Sequence, residues 1–200
     1  MNIAVLCSGT GTNLQAIIDA VNSGHIKAKI ALVLSDNAGA YALTRAKNAG
    51  IETMVVQKGG FKSREEYDRE IIKRLKSKKI DVVVLAGFMR LLSGHFIREY
   101  ENRILNIHPS LLPSFKGTHG IRDALRSGVK VTGPTVHFVV EDLDSGPIIL
   151  QSPVEVKDDD TEESLLERVH SEEHKIYPKA IKLFVEGRIK IKDKIVKIEK

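Results

Sequence analysis

The segment LNIHPSLLP, Leu105 to Pro113, sets Asn106 and His108 two positions apart in an otherwise apolar run closed by proline. In an extended strand, alternation sends both side chains to one face, and Pro109 forces an extended exit that holds them at the rim. An amide and an imidazole so placed can donate hydrogen bonds to one developing oxyanion, and the histidine can also carry a proton. The same pair could simply cap the following loop, so a third group must decide. EDLDSGP, Glu141 to Pro147, offers carboxylates in a turn that ends in a Gly-Pro breaker. A carboxylate beside His108 would favour the imidazolium form, fix the ring and shuttle protons.

A second stretch, CSGTGTNLQA, has the makings of an anion site. Gly9 and Gly11 allow a sharp turn, and the first N–H groups of a helix starting near Asn13 would point at the ligand. The dinucleotide fingerprint wants a third glycine where Leu14 stands, and no Lys-Ser/Thr follows to make a P-loop. A plain tight turn is the alternative. Asp36, which would bind ribose in a dehydrogenase, reads here as a helix or turn cap. HSEEH, His170 to His174, matches the inverted zinc-peptidase pattern, but no distant third ligand is evident and no metal is assigned.

The elements that must position these groups alternate in type. NIAVLC, KIALVLS, TMVV and DVVVLAG read as strands, and RILNIH as a further one. Helical stretches separate them: Asn13 to Val21, YALTRAKNAG ended by Gly50, and SREEYDREIIKRLKSK opened by Ser63 with Glu66 three residues on. Runs apolar on both faces belong in a parallel sheet covered on both sides, an α/β doubly wound layer structure. From VTGPTVHFVV and PIILQSPVEV the chain turns to strands before a long helix near Thr161 to Phe184, so the sheet should be mixed.

With 200 residues, 42% of them hydrophobic, the chain can bury one sizeable core, and residues 1–200 are expected to form a single domain without linkers or repeats. A net charge of +5 comes from 31 basic residues interleaved with 26 acidic ones, the pattern of a solvated surface and not of a nucleic-acid binder. RIKIKDKIVKIEK at the end reads as a two-stranded edge ribbon whose lysines discourage edge pairing, and less readily as a phosphate-binding arm. The lone cysteine, Cys7, is expected in the core and fits a reducing cytoplasm. No run is long enough for a membrane span, and MNIAVLCSGTG lacks the features of a signal peptide.

SGTGTN, LAGFMRLL, LNIHPSLLPSFKG, TVHFVVEDLDSGPIILQ and EEHKIYP occur in an order and spacing that closely resemble the folate-dependent glycinamide ribonucleotide formyltransferases of purine biosynthesis. The resemblance covers nearly the whole chain; NIHPSLLP marks the wider formyltransferase superfamily, while SGTGTN and EEH make it specific. It implies a formyltransferase-like, Rossmann-like fold. It also implies transfer of the formyl group of 10-formyltetrahydrofolate, as co-substrate with no tightly bound cofactor or metal, to the amine of glycinamide ribonucleotide. Asn106 and His108 would stabilise the oxyanion, and Asp144 would keep His108 cationic. Gly11, Thr12 and Asn13 would hold the nucleotide's phosphate and Glu173 its glycyl amine end. Met89, Arg90, Leu91 and Leu92 would line the pterin pocket, Val139, Val140, Glu141 and Asp142 would complete it, and Arg64 would reach the folate side. The partners implied are these small molecules, with neither nucleic acid nor membrane, in a cytoplasmic monomer or homodimer.

Two residues depart from the family pattern. Lys116 stands where proline is usual, which predicts a more mobile loop after Pro113, and Pro134 replaces a small residue. Other readings are hydrolysis of formyltetrahydrofolate or formylation of another amine, in relatives that usually carry an additional domain. A phosphate-binding module without the chemistry is the non-enzyme alternative, against which Asn106, His108 and Asp144 together speak.

Overall fold

A computed structural model describes residues 1–199. The chain runs β1 (Asn2–Cys7), α1 (Thr12–Asn22), β2 (Lys29–Ser35), α2 (Tyr41–Asn48), β3 (Thr53–Val55), α3 (Arg64–Ser77), β4 (Val82–Leu85), α4 (Gly94–Glu99) and β5 (Ile104–His108). It continues through α5 (Gly120–Arg126), β6 (Val131–Thr132), β7 (Thr135–Phe138), β8 (Ile148–Gln151), β9 (Val154–Glu155), α6 (Glu162–Val185), β10 (Ile189–Lys192) and β11 (Ile195–Ile198). It divides into two compact units, Met1–Leu105 and Asn106–Lys200, with β5 on the boundary. The seven-stranded sheet has the order β3-β2-β1-β4-β5-β7-β8.

In the first unit β1 pairs in parallel with β2 on one side and β4 on the other, and β2 pairs in parallel with β3. Every residue of β4, and all of β1 after Asn2, is buried, as β-branched runs sandwiched between helical layers must be. Cys7 lies at the end of this core, where burial pushes its thiol up to about 12. The direction of winding reverses between β1 and β4, so the loops after these two strands meet at a switch point. Ser8 N–H donates to Gly87 O at 3.0 Å, and Met89 N–H donates to Ser8 Oγ at 2.9 Å. Ser63 caps α3 by accepting from Glu66 N–H, but the Glu66 carboxylate reaches back to Lys62 N–H and not to the cap itself.

In the second unit β7 and β8 pair antiparallel, which makes the sheet mixed. VTGPTVHFVV is not one strand. It breaks at Gly133-Pro134, where Gly133 takes φ 144° and proline has no N–H for the ladder, and the position must be glycine because a Cβ would lie 1.9 Å from Ser152 O; β6 pairs with β9 outside the main sheet. The final helix begins at a capping box between Thr161 and Ser164. Its buried stripe runs Leu165, Val169, Glu173, Ile176, Tyr177 and Ala180, so a glutamate occupies an apolar position. β10 and β11 form the ribbon expected from the Lys-Ile alternation, while Lys200 lies outside the described residues. The short helices α4 and α5 were not evident in the sequence, since a turn and a half shows no sustained period. No helix among the described residues is long and apolar enough to cross a membrane.

Candidate active site

The loop after β1 is built by glycine. Gly11 is the N-cap of α1 at φ 73°, and its missing Cβ is required, since one would lie 2.6 Å from the Cβ of Ala42. Ala42 N–H donates to Gly9 O and Arg45 Nε donates to Thr10 O at 2.9 Å, so α2 holds this loop in place. α1 has no side-chain cap and no acidic residue in its first turn, whereas α3 and α6 carry both. Its first N–H groups therefore present the positive end of the helix without a built-in anion. Leu14, at the position of the missing third glycine, is fully buried core. Asp36 does not act as the expected cap: Ser35 Oγ accepts from Asn37 N–H, Asn37 Oδ1 accepts from Gly39 N–H, and Asp36 Oδ1 has no partner.

Also in the first unit, the loop after β4 borders a cleft of about 420 Å³. Of the sequence-expected residues, Arg64, Met89, Arg90 and Leu91 line it, and Leu92 is buried beside them in sequence. Met89 and Leu91 are 74% and 57% exposed, an unusual state for apolar side chains that a ligand would remedy. The Arg90 guanidinium lies 4.3 Å from the centre of the Tyr67 ring, against which Phe61 stands edge-on. Lys58, Phe61, Lys62, Ser63 and Tyr67 complete the lining. Sequence reasoning did not assign these five to the cleft; the basic, glycine-containing stretch QKGGFKSR was the signal for all but Tyr67, which lies one turn into α3.

In the second unit β5 brings Asn106 and His108 to one face, as alternation requires, and His108 is 4% exposed. The strand's exit is fixed from β7 and β8. Thr135 Oγ1 donates to Ser110 O at 2.6 Å and accepts from Leu112 N–H, and Gln151 Nε2 donates to Leu112 O. Asp144, the residue after this turn expected to face His108, places Oδ2 3.5 Å from His108 Nδ1. That separation is longer than a hydrogen bond, and Oδ2 takes its hydrogen bond from Gly117 N–H at 2.9 Å. His108 Nε2 lies 2.8 Å from Phe115 O, so that nitrogen carries a proton. Asp144 holds its position at φ 48°, a conformation that aspartate tolerates.

The cluster has a fourth member. His137, from the apolar strand TVHFVV, puts Nε2 3.2 Å from Asn106 Nδ2 and 3.8 Å from Asp144 Oδ1. Burial lowers its pKa, against opposing contributions from the Phe138 carbonyl and Asp144, and His108 adds to the lowering. It is thus neutral near pH 7, and the 3.8 Å approach to Asp144 is not an ion pair. Sequence reasoning passed over His137; a polar residue in an otherwise apolar strand was the available sign. Val139 and Val140 follow it half-buried, with Glu141 and Asp142 exposed. Lys116 Nζ donates to Ser145 Oγ at 2.6 Å, so the departure that predicted a freer loop supplies a tether to the Asp144 turn. Pro134 is buried and accepts through its carbonyl from Ser152 N–H.

On α6, Glu173 is 4% exposed, with His170 Nε2 3.9 Å from its Oε2, and the rings of His170 and His174 stack. Among the described residues, no group of three His, Cys, Asp or Glu side chains could hold a metal ion.

A mixed α/β sheet with an uncapped helix after its first strand, and an amide–imidazole–carboxylate cluster at the end of its fifth, has the parts an enzyme of acyl-type transfer needs. Residues 1–181 match the family model described as formyl transferase, and the chain belongs to that family. It is 50% identical over 191 residues to the phosphoribosylglycinamide formyltransferase of Escherichia coli (strain K12), covering 96% of this chain and 90% of that protein. It is also 50% identical over 189 residues to the trifunctional purine biosynthetic protein adenosine-3 of Homo sapiens, a match that covers 94% of this chain and only 19% of that longer protein. The crystal structure of glycinamide ribonucleotide transformylase 1 from Symbiobacterium toebii is similar at a TM-score of 0.99 and 49% identity, covering 100% of this chain and 94% of that one.

Proposed function

We propose that this chain transfers the formyl group of 10-formyltetrahydrofolate to the amine of glycinamide ribonucleotide, giving formylglycinamide ribonucleotide and tetrahydrofolate in purine biosynthesis. The observation that carries the chemistry is the convergence of Asn106, His108 and Asp144, with His137 between them, around a buried imidazole pair.

The amine nitrogen attacks the formyl carbon, and the carbonyl oxygen becomes an oxyanion. Asn106 donates an N–H to that oxygen, and His108 donates Nε2–H once the substrate oxygen replaces the carbonyl of Phe115. Collapse of the adduct breaks the bond to the folate N10, which leaves with a proton while the amine loses one. His108 and Asp144 carry that exchange.

Gly11, Thr12 and Asn13 supply backbone N–H groups for the phosphate, and Glu173 accepts from the glycyl amine end. Arg64 and Met89 to Leu92 serve the folate, with Val139 to Asp142 contributing from the loop after β7. Lys58 and Lys62 add positive charge to a cleft lined by no acidic side chain, which suits a carboxylate-bearing tail. The folate enters as a co-substrate.

The test mixes the protein with synthetic glycinamide ribonucleotide and 10-formyltetrahydrofolate and follows tetrahydrofolate release. Release that depends on the amine is expected; release without it would mean a hydrolase. Glu173→Gln should raise KM for the nucleotide, and chelators should have no effect. Inactivation by a chelator, reversed by zinc, would return HSEEH to the metal reading.

A further inference from the structure

β7 carries an irregularity between Val136 and His137, and a bulge of this kind re-aims a side chain. There the His137 ring folds back on its own strand, with Nδ1 2.9 Å from the carbonyl oxygen of Phe138. A carbonyl only accepts, so Nδ1 carries the proton. In a neutral ring Nε2 is then an acceptor, and its neighbour at 3.2 Å is the amide of Asn106. Only the NH2 end of that amide can donate to it.

We infer that His137 is a positioning residue for formyl transfer: locked as the neutral Nδ1–H tautomer by the Phe138 carbonyl, it holds the Asn106 amide NH2-inward and leaves its second N–H for the oxyanion. This rests on the function proposed above. An asparagine amide left alone is nearly symmetric in shape, and turned over it would present an oxygen lone pair to the developing negative charge. The lock prevents that inversion before substrate arrives, as preorganised electrostatic stabilisation requires.

The seat of the lock is specific. Gly146 packs so closely that a Cβ there would lie 1.8 Å from Phe138 O, while Phe138 N–H is held by Pro147 O at 2.9 Å. The titratable groups acting on His137 are Asp144 and His108. A second proton on His137 would turn Nε2 into a donor, and Asn106 would then have to face it with oxygen. Burial opposes that proton, in keeping with the lock.

Two measurements test this. Nitrogen NMR of the histidine-labelled protein reads the tautomer directly: His137 should show a protonated Nδ1 and a bare Nε2 at neutral pH. A protonated Nε2 overturns the inference whether or not the protein makes formylated product, so its failure is separable from that of the proposed function. Kinetics of two substitutions then distinguish positioning from bulk. The side-chain amide of His137→Gln can place an oxygen acceptor near the old Nε2, whereas that of His137→Asn reaches only the old Nδ1. His137→Gln should retain kcat within roughly fivefold, and His137→Asn should lose about tenfold to a hundredfold, both with KM little changed. Equal losses in the two variants, or a change confined to KM, would overturn it; if neither variant folds, the wild-type tautomer decides alone.

Discussion

The loop after β1 and the cluster after β5 are two opposite ways to build a polar site. The first offers backbone N–H groups, and its one indispensable residue, Gly11, is indispensable for lack of a side chain: α2 packs where a Cβ would stand. The second offers side chains, two buried histidines with a half-buried amide and carboxylate, each oriented by a neighbour: Asn106 by His137, His137 by Phe138 O, Asp144 by Gly117 N–H. A backbone site is fixed by the fold and has few titratable parts. A side-chain site depends on protonation states, and its failure modes are chemical before they are structural.

That contrast can be broken at several points. The largest effect is expected from Asp144→Asn, which keeps size and most hydrogen bonding but removes charge. The folded protein should bind both substrates and turn over at least roughly a hundredfold more slowly; near-normal kcat in a steady-state assay would remove Asp144 from the mechanism and leave Asp142 or Glu141 to test.

Gly11→Ala should cost about 1–3 kcal/mol of stability, from the positive φ and the collision with Ala42. The Gly11→Ala, Ala42→Gly double variant should recover little of that cost in urea unfolding, because the new Cβ would still lie 2.8 Å from the Ala42 Cα and the positive φ remains. A bulkier change such as Gly11→Val would test packing as much as phosphate binding, so the anion role is better tested at the next positions. Asn13→Ala should raise KM for the nucleotide by up to about tenfold while leaving that for folate unchanged, the loss of one hydrogen bond at the loop. A parallel loss of folate binding would deny the loop its separate role.

The smallest effect is on stability against pH. His137 has its folded pKa below the ordinary 6.5, so below that value the unfolded chain takes up a proton that the folded chain refuses. Stability should therefore be unaffected above pH 6.5 and fall as pH drops toward the folded value. His170, lowered by burial and by His174, acts in the same sense. His137→Gln should flatten part of the slope, measured by thermal melts across pH 5 to 7; an unchanged slope would place the ring's proton elsewhere.

The sequence alone determined the strand–helix alternation, because runs such as VVVL are apolar on both faces and suit no other layer, and it determined which strand ends carry polar groups, because period-two alternation is a local property. It placed Asn106 and His108 together by counting, whereas Glu173 was implicated only through the resemblance of EEHKIYP, and its burial on the apolar stripe of α6 is a finding of the structure. It could not show that Asp144 lies nearer His108 than Asp142 does, since that choice depends on a left-handed turn and a hydrogen bond from Gly117. Nor could it show that His137 joins Asn106, since a bulge shifts the register that alternation assumes. Gly11 and Gly146 look alike in the sequence; only tertiary packing set one against Ala42 and the other against the carbonyl that fixes a histidine tautomer, because steric exclusion acts between segments that are distant along the chain.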